Sequence, residues 1–378
     1  MGYICERVVP PRDGRKRIIK TLSVIMKRII INIAAALALC AVAVGCDAFR
    51  KASSAGASAT GNPYEVIVVC AQPEWQSELG DTLQAVLRQP VSELTTYEPM
   101  FDVMRILPNN FGSLVERHRN IITVQVDASI AEPSITVRYD VTAKPQVFIS
   151  IKGPDDKSVA DYVSENRDNL VRVLEKAERD RSIDYGKRFA SEQTEVLLRE
   201  KFGVQMYVPD NFQVRTQSDD MVWISQEYPA ASQGFFIYKY PYGGKGSLST
   251  ASLIAARDKF AARIPGPADG SYMSTVKQIA DAAGENYIDF EPQMRMLEID
   301  GRTWIEMAGL WDVENYVMGG PFVSYTTVNQ ATNEVVTLDC YVYAPKGDKR
   351  NMLRELEHFV YLINFPATSA DMSAGRGK

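Results

Sequence analysis

Cys46 is the residue whose surroundings point most directly to a chemical reaction. A basic segment at residues 26–28 precedes an apolar run over residues 29–44, and Ala-Val-Gly stands directly before the cysteine. In bacterial secretory signals this layout directs a signal peptidase to cleave before the cysteine, whose thiol then receives a diacylglycerol group and a further acyl chain such as palmitate. The sequence therefore predicts a lipid-anchored protein with Cys46 as its first mature residue.

Two other interpretations of the apolar run stay open, a retained membrane anchor and a buried helix. The run is short for a membrane span, which needs roughly 20 apolar residues. Residues 1–25 carry five basic side chains between positions 12 and 20 and resemble an over-long gene start, so we expect translation to begin at Met26. Residues 1–45 are then a signal peptide with its extension.

The charge of the mature chain argues against nucleic acid as a partner. Removal of residues 1–45 takes away eight Lys/Arg and two Asp/Glu, which leaves 34 basic and 45 acidic side chains and a formal charge of −11. Nucleic-acid binding requires a basic stripe, and an acidic chain also adheres poorly to anionic lipid. We therefore expect no nucleic-acid partner and a membrane contact made through the lipid.

Cysteine and histidine are scarce in the mature chain. Cys70 and Cys340 lie in apolar, strand-like segments, which favours two buried free thiols in separate domains, with an interdomain disulfide as the alternative. The only histidines are His118 and His358, both expected at or near the surface. With no Cys/His cluster, the sequence predicts neither a metal site nor a cofactor.

The chain divides into segments of different composition. Small polar residues at 46–62 predict a flexible tether, and a polar tail at 366–378 predicts disorder. Between them, residues 63–202 and 203–365 are each long enough for one domain with its own core. Both segments mix strand and helix patterns, so we predict an α+β fold with two α/β sandwich domains, each a mostly antiparallel sheet with packed helices.

Several local signals support this division. Residues 64–70 form an apolar, β-branched run typical of a buried strand. A long helical stretch at residues 158–202 has Asp155 as an N-cap, a predicted break near Gly186 and a charged, solvated outer face. In the second segment, the Asp300-Gly301 pair between two strand patterns predicts a tight hairpin.

Features spread over nearly the whole mature chain resemble a known family. The segments at 64–70, 207–212 and 318–322, and a closing helix that ends at 362–365, are similar in order to the DUF4837 family, uncharacterised lipoproteins of Bacteroidetes. The resemblance implies a cell-envelope lipoprotein, expected at the outer membrane, and carries no assigned activity. Residues 203–365 are also weakly similar to PsbP/Mog1-like domains, α/β/α sandwiches used mainly in binding and assembly, which is fold analogy only.

No catalytic signature stands out, and we assign no catalytic residue. The sequence lacks a Gly-x-Ser-x-Gly elbow, and the glycines at 243–246 lack the spacing of a phosphate loop. A pair of carboxylates can hydrolyse glycosides whatever their separation in sequence. The candidates for such a pair are Asp289, Glu291, Glu306 and Asp312, and nothing in the sequence selects two of them.

Aromatic residues beside glycines are the best candidates for ligand contact. They are Tyr238, Tyr240, Tyr242, Trp311 and Tyr316. Such segments suit recognition of peptides, glycans or proteins. The alternative for Tyr238 and Tyr240, which share a strand face, is ordinary core packing.

Taken together, the sequence favours a non-catalytic binding or assembly module held in the cell envelope by its lipid, with an envelope protein or a glycan as ligand. A carboxylate-based hydrolase that acts on glycans is the first alternative. A structural lipoprotein without a specific ligand is the second.

Overall fold

The computed structural model describes residues 57–112, 114–281 and 283–365. The predicted signal peptide, Cys46, most of the predicted tether and the tail at 366–378 lie outside the described residues. Among the helices of the described ranges, none has the length and apolar character required to cross a membrane.

The N-terminal half contains a five-stranded sheet and four helices. Its elements in chain order are β1 (Glu65–Val69), α1 (Gln72–Trp75), α2 (Glu78–Leu87), β2 (Asp102–Ile106), β3 (Asn120–Val126), β4 (Ser134–Tyr139), β5 (Val147–Gly153), α3 (Asp156–Glu165) and α4 (Arg167–Arg188). The strand order is β2-β1-β3-β5-β4. The first three pairings in this order are parallel, and β4 is an antiparallel edge strand.

The expectation of a mostly antiparallel sheet is therefore wrong for the N-terminal half. In β1, four consecutive residues, 66–69, are buried, because helices cover one face and the loop over residues 107–118 covers the other. Strands buried on both faces give continuous apolar runs and are typical of parallel sheets. The helices begin as their caps dictate: the side chain of Asp155 accepts the backbone N–H of Ser158 at 2.9 Å, as the sequence predicted.

The C-terminal half contains an eight-stranded antiparallel sheet with helices on both faces. Its elements are α5 (Glu192–Phe202), β6 (Gln213–Gln217), β7 (Met221–Glu227), β8 (Ser232–Pro241), α6 (Thr250–Ala261), β9 (Met273–Thr275), β10 (Gln278–Ala280), β11 (Tyr287–Asp289), β12 (Gln293–Ile299), β13 (Arg302–Val313), β14 (Tyr316–Asn329), β15 (Glu334–Tyr343) and α7 (Arg350–Glu357), which continues as a 3₁₀ helix, His358–Leu362. The strand order is β12-β13-β14-β15-β8-β7-β6, β9 pairs with β13, and β10 and β11 form a separate two-stranded sheet.

The two faces of this sheet contribute side chains to two separate cores. Alternate residues of the central strands face α5 and α7, and the residues between them face α6. The predicted hairpin is confirmed: Asp300 and Gly301 adopt left-handed φ angles of 50° and 73° between β12 and β13. These features confirm the predicted α+β class.

Three details differ from the sequence prediction. Helix α5, which we grouped with residues 63–202, places Leu198 and Phe202 in the core of the C-terminal sheet. Helix α4 continues through Gly186 to Arg188, and the break falls at residues 189–191. Ser58 and Thr60 form β-bridges with the N-terminal domain, so this end of the predicted tether is part of the folded body.

The C-terminal half docks through α7 on one edge of the N-terminal sheet. The carboxylate of Glu98, in the loop before β2, accepts the backbone N–H groups of Lys349 and Arg350 at 2.8 and 2.7 Å. The guanidinium of Arg350 in turn binds both carboxylate oxygens of Asp102. One half of the protein thus supplies the N-terminal cap for a helix of the other half.

One turn further along α7, the buried guanidinium of Arg354 joins both halves. Its nitrogens lie 3.3 Å from Glu93 and 3.9 Å from Glu175 of the N-terminal half, and 2.6 Å from Glu357 of its own helix. Helix α4 also belongs to both halves: Leu170 and Leu174 lie in the N-terminal core, and Ile183 packs against the C-terminal core.

We expect Glu98→Ala to lower the free energy of unfolding by about 2 kcal/mol, because it leaves two backbone donors at the start of α7 without an acceptor. Urea unfolding followed by circular dichroism measures the change. Glu132→Ala is the matched control, since Glu132 is exposed, and it should change stability by less than about 0.5 kcal/mol. Equal urea midpoints for the two variants would contradict the capping role.

Candidate functional site

A cleft of about 390 Å³ lies between the two halves, with α4 on one side and α7 on the other. This volume lies within the range of small-molecule sites, which often occur at domain interfaces. The residues that line it are Pro63, Tyr64, Arg119, Glu178, Arg181, Ser182, Tyr185, Tyr228, Gln233, Asn351, Met352, Glu355 and His358.

Helical spacing explains how α7 and α4 form the two walls. Met352, Glu355 and His358 are three residues apart along α7 and its 3₁₀ extension, so they share one side, while Leu353 and Leu356 enter the C-terminal core. On α4, the lining residues 178, 181, 182 and 185 have the same kind of spacing.

The α4 wall carries a buried charged network. One oxygen of Glu178 accepts from Asn120 and Arg181 at 2.7 Å each, and the other lies 3.3 Å from Arg119. Glu178 is 3% exposed, so the prediction of a solvated outer face is wrong for the centre of this helix. Two guanidiniums share one carboxylate, and burial lowers the pKa of Arg181. The network therefore has one formal positive charge in excess.

The opposite wall carries a carboxylate without a cation. The side-chain nitrogen of Gln233, on β8, donates to Glu355 at 2.9 Å and to Gln226 at 2.9 Å. No cation of the described ranges lies within ion-pair distance of Glu355, and burial raises its pKa. The hydroxyl of Tyr228 also lies 3.4 Å from the Gln233 nitrogen. The amide oxygen points away from these acceptors and is buried without a partner among the described residues.

A Tyr–His pair connects the two walls. The hydroxyl of Tyr64, just before β1, lies 3.3 Å from Nε2 of His358. Burial, together with the guanidiniums of Arg354 and Arg179, lowers the pKa of His358 to about 3, so the imidazole is neutral at physiological pH. Its Nδ1 is buried and has no hydrogen-bond partner within the part of the chain that the structure describes.

This arrangement is suited to holding a polar ligand. Each wall carries charged side chains, and Tyr185, Tyr228 and Met352 supply apolar surface beside them. The unpaired atoms of Gln233 and His358 have no accessible surface, so they do not face the space inside the cleft. Within residues 57–112, 114–281 and 283–365, no group of three or more His, Cys, Asp or Glu side chains could hold a metal ion.

The aromatic candidates from the sequence lie elsewhere. Tyr238 and Tyr240 stack on Phe260 of α6, and Tyr238 is 1% exposed. Trp311 is also 1% exposed and donates to the carbonyl of Val342. These three residues pack in the core between the C-terminal sheet and α6, which is the packing alternative considered for Tyr238 and Tyr240.

The remaining two candidates are more accessible but do not form one surface with the others. Tyr242 is half-buried beyond the end of β8, and its backbone N–H donates to Asn333. Tyr316 is 48% exposed at the start of β14. The structure therefore does not bring the five aromatic residues together in a single patch.

The structure brings two of the four candidate carboxylates to one groove and separates the other two from it. Asp289 and Asp312 line a groove beside β9, where Ser274 lies 2.6 Å from Asp312. Glu306 is buried on β13 and is paired with Arg295 at 3.0 Å, and Glu291 is exposed.

The expected exposure of His118 is wrong, and His358, expected at the surface or half-buried in a structural role, is buried. His118 is 5% exposed: its Nδ1 lies 3.0 Å from the carbonyl of Asn120, and its Nε2 lies 3.4 Å from Glu65. His358 is 7% exposed. Cys70 and Cys340 are buried free thiols in two different cores, too far apart in the fold to form a pair.

Sequence reasoning missed the residues of the cleft. Tyr64, Glu178 and His358 are separated by more than a hundred positions each, so no local spacing connects them. One signal was present: Glu355 and His358 are polar residues three positions apart in the closing helix, a spacing that puts them on one side of it.

We expect His358 to make the protein less stable in mild acid. Because the pKa is lowered from about 6.5 when unfolded to about 3 when folded, the unfolded chain binds the proton first as the pH falls, and stability is lost. Between pH 7 and pH 5 this costs about 2 kcal/mol. Urea unfolding at both pH values should show that loss in the wild-type protein and a correspondingly smaller one in His358→Gln. Identical pH dependence in both proteins would contradict the assignment.

Comparison with known proteins identifies two domain families. Residues 191–361 match the family DUF4837, a domain of unknown function, and residues 59–185 match DUF8532, also a domain of unknown function. No curated protein matches the chain. A solved structure of a mutant of the protein Mog1 is similar over 45% of this chain and 94% of its own, with 11% identity and a TM-score of 0.25. The matches confirm the predicted resemblance to the uncharacterised DUF4837 family for the C-terminal half. The resemblance does not extend over nearly the whole mature chain, as predicted, because the N-terminal half matches DUF8532 instead.

Proposed function

We propose that this chain is a lipid-anchored protein of the cell envelope that binds a small polar ligand in the cleft between its two domains without transforming it. The anchor is assigned to Cys46 on sequence grounds, and the outer membrane is the proposed location. An envelope protein or a glycan remains a candidate for the partner, and nucleic acid is not among the proposed partners.

One observation carries the binding proposal. Arg119 and Arg181 on one wall of the cleft share the single carboxylate of Glu178, and Glu355 on the other wall has no cation partner among the described residues. A partly buried charge without a full counter-charge is costly. A ligand that supplies the complementary charge at these walls offsets that cost on binding.

The carboxylates of the cleft support binding better than hydrolysis. Glu178 and Glu355 line the same cleft, which keeps a carboxylate-based glycoside hydrolase as the second candidate. However, both oxygens of Glu178 are already engaged by Asn120, Arg181 and Arg119, and a carboxylate so held is poorly placed to attack a sugar or to activate water. The third candidate, a structural lipoprotein without a specific ligand, gives no role to the charged side chains that line the cleft.

We expect Cys46→Ala to abolish membrane attachment, because the substituted residue has no thiol to receive a lipid. Cells that express each form are labelled with a clickable palmitate analogue and fractionated. The wild-type protein should carry label and sediment with the envelope, whereas the variant should do neither. Cys40→Ala is the matched control and should behave as the wild type. Label retained by Cys46→Ala would refute the anchor at this residue.

We expect Met352→Trp to block the cleft, because the larger side chain fills space beside Glu355 and His358. The full-length proteins are incubated with a low-molecular-mass extract of bacterial envelopes and examined by native mass spectrometry. Wild-type protein should retain a bound mass that Met352→Trp does not retain.

Met296→Trp is the matched control, since Met296 is 74% exposed on β12 and does not line the cleft. It should retain the same bound mass as the wild type. A bound mass that persists in Met352→Trp would place the site elsewhere, and no bound mass in the wild type would contradict a ligand from the envelope.

A further inference from the structure

We infer that the ligand of the cleft is a zwitterion of the amino-acid class, a free amino acid or a short peptide with an unmodified ammonium group and an unmodified carboxylate. This inference rests on the proposed binding function and specifies its ligand. It is carried by the separation of charge between the two walls of the cleft.

The α4 wall is suited to a carboxylate. Arg119 and Arg181 present two guanidiniums to the single carboxylate of Glu178, and all three residues line the cleft. Each guanidinium has five N–H donors, more than this carboxylate and the neighbouring acceptors use. A ligand carboxylate at this wall would neutralise the excess charge with charge-assisted hydrogen bonds.

The α7 wall is suited to an ammonium group. Glu355 has no cation partner among the described residues, and one of its oxygens accepts from the side-chain nitrogen of Gln233 at 2.9 Å. The hydroxyl of Tyr228 lies 3.4 Å from the same nitrogen. The carboxylate and the phenol are therefore two acceptors side by side, and an ammonium group has three donors and no acceptor.

The residues between the two walls are neutral. Tyr64 and His358 share one hydrogen bond, burial raises the pKa of Tyr64, and the pKa of His358 is about 3, so neither is charged at physiological pH. The aromatic rings of Tyr185 and Tyr228 and the side chain of Met352 offer contact to an apolar side chain.

A neutral saccharide fits the same cleft less well. Its hydroxyl groups can hydrogen-bond to Glu355 and Tyr228, but they supply no counter-charge to the carboxylate of Glu355 or to the excess guanidinium. Burying a charge without a partner is costly, whereas a zwitterion supplies both partners at once. The charges of the two walls therefore favour the zwitterion.

The test compares matched ligands on the full-length protein by isothermal titration calorimetry. One pooled set of dipeptides is used free, N-acetylated and C-amidated, and a chitobiose disaccharide serves as the neutral sugar. We expect the free dipeptides to bind at least tenfold more tightly than either modified set.

Two variants assign the charges to their walls. In Glu355→Gln, the free and N-acetylated sets should bind equally, and in Arg119→Gln, the free and C-amidated sets should bind equally. Glu132→Gln, on the exposed surface, should keep the full preference, and thermal denaturation confirms that each variant is folded.

The outcomes separate the ligand class from the proposed function. Binding of chitobiose, or of the modified dipeptides as tightly as the free ones, with loss of that binding in Met352→Trp, would refute the zwitterion and leave the cleft as a binding site. Absence of binding by every free dipeptide and amino acid would also refute the zwitterion. Absence of any bound mass from the envelope extract would, in addition, contradict the proposed function.

Discussion

The buried guanidinium of Arg354 is the interaction on which the relative placement of the two domains depends. It binds Glu93 and Glu175 from the N-terminal half and Glu357 from its own helix. A charge removed from water is tolerated only with good partners, and removal of one partner of such a group commonly costs 3–5 kcal/mol. Any shift of α7 along the N-terminal domain would therefore break these ion pairs and incur this loss of stability. The same helix carries Glu355 and His358 on another side. By holding α7 in place, the ion cluster therefore also positions these two residues in the wall of the cleft.

The C-terminal domain was largely predictable from its sequence, because its strands are antiparallel and its turns carry local signals. The Asp300-Gly301 pair predicted the β12–β13 hairpin, since both positions require left-handed backbone angles. The parallel sheet of the N-terminal half was not predictable in the same way. Strands buried on both faces show no alternation of apolar and polar residues, and their pairing partners are distant in sequence. An apolar run such as residues 66–69 therefore predicts a strand, but it does not predict which strands pair with it or whether they are parallel.

The site was less predictable than the fold, for a related reason. Aromatic residues near glycines favoured a recognition surface, because such residues occur in many recognition loops. In the structure, Tyr238 and Trp311 instead pack in the core against α6. Conversely, the charged stretch around Arg181 looked solvated, because sequence alone does not reveal that a second domain covers part of α4. A cleft between domains is formed by residues whose proximity follows only from docking, and docking depends on tertiary contacts such as the cap that Glu98 provides for α7.

The edge of the N-terminal sheet at which α7 docks has a consequence for attachment of the chain. Tyr64 and Arg119 immediately precede β1 and β3, so the cleft lies at the amino ends of parallel strands, whereas ligands of open parallel sheets usually bind at the carboxyl ends. Thr60, which pairs with His118 at the same edge, is close to the point where the chain enters the fold. The chain therefore enters the fold at the same edge of the N-terminal sheet that borders the cleft, so any group attached ahead of residue 57 is joined to the protein on the side of its binding cleft.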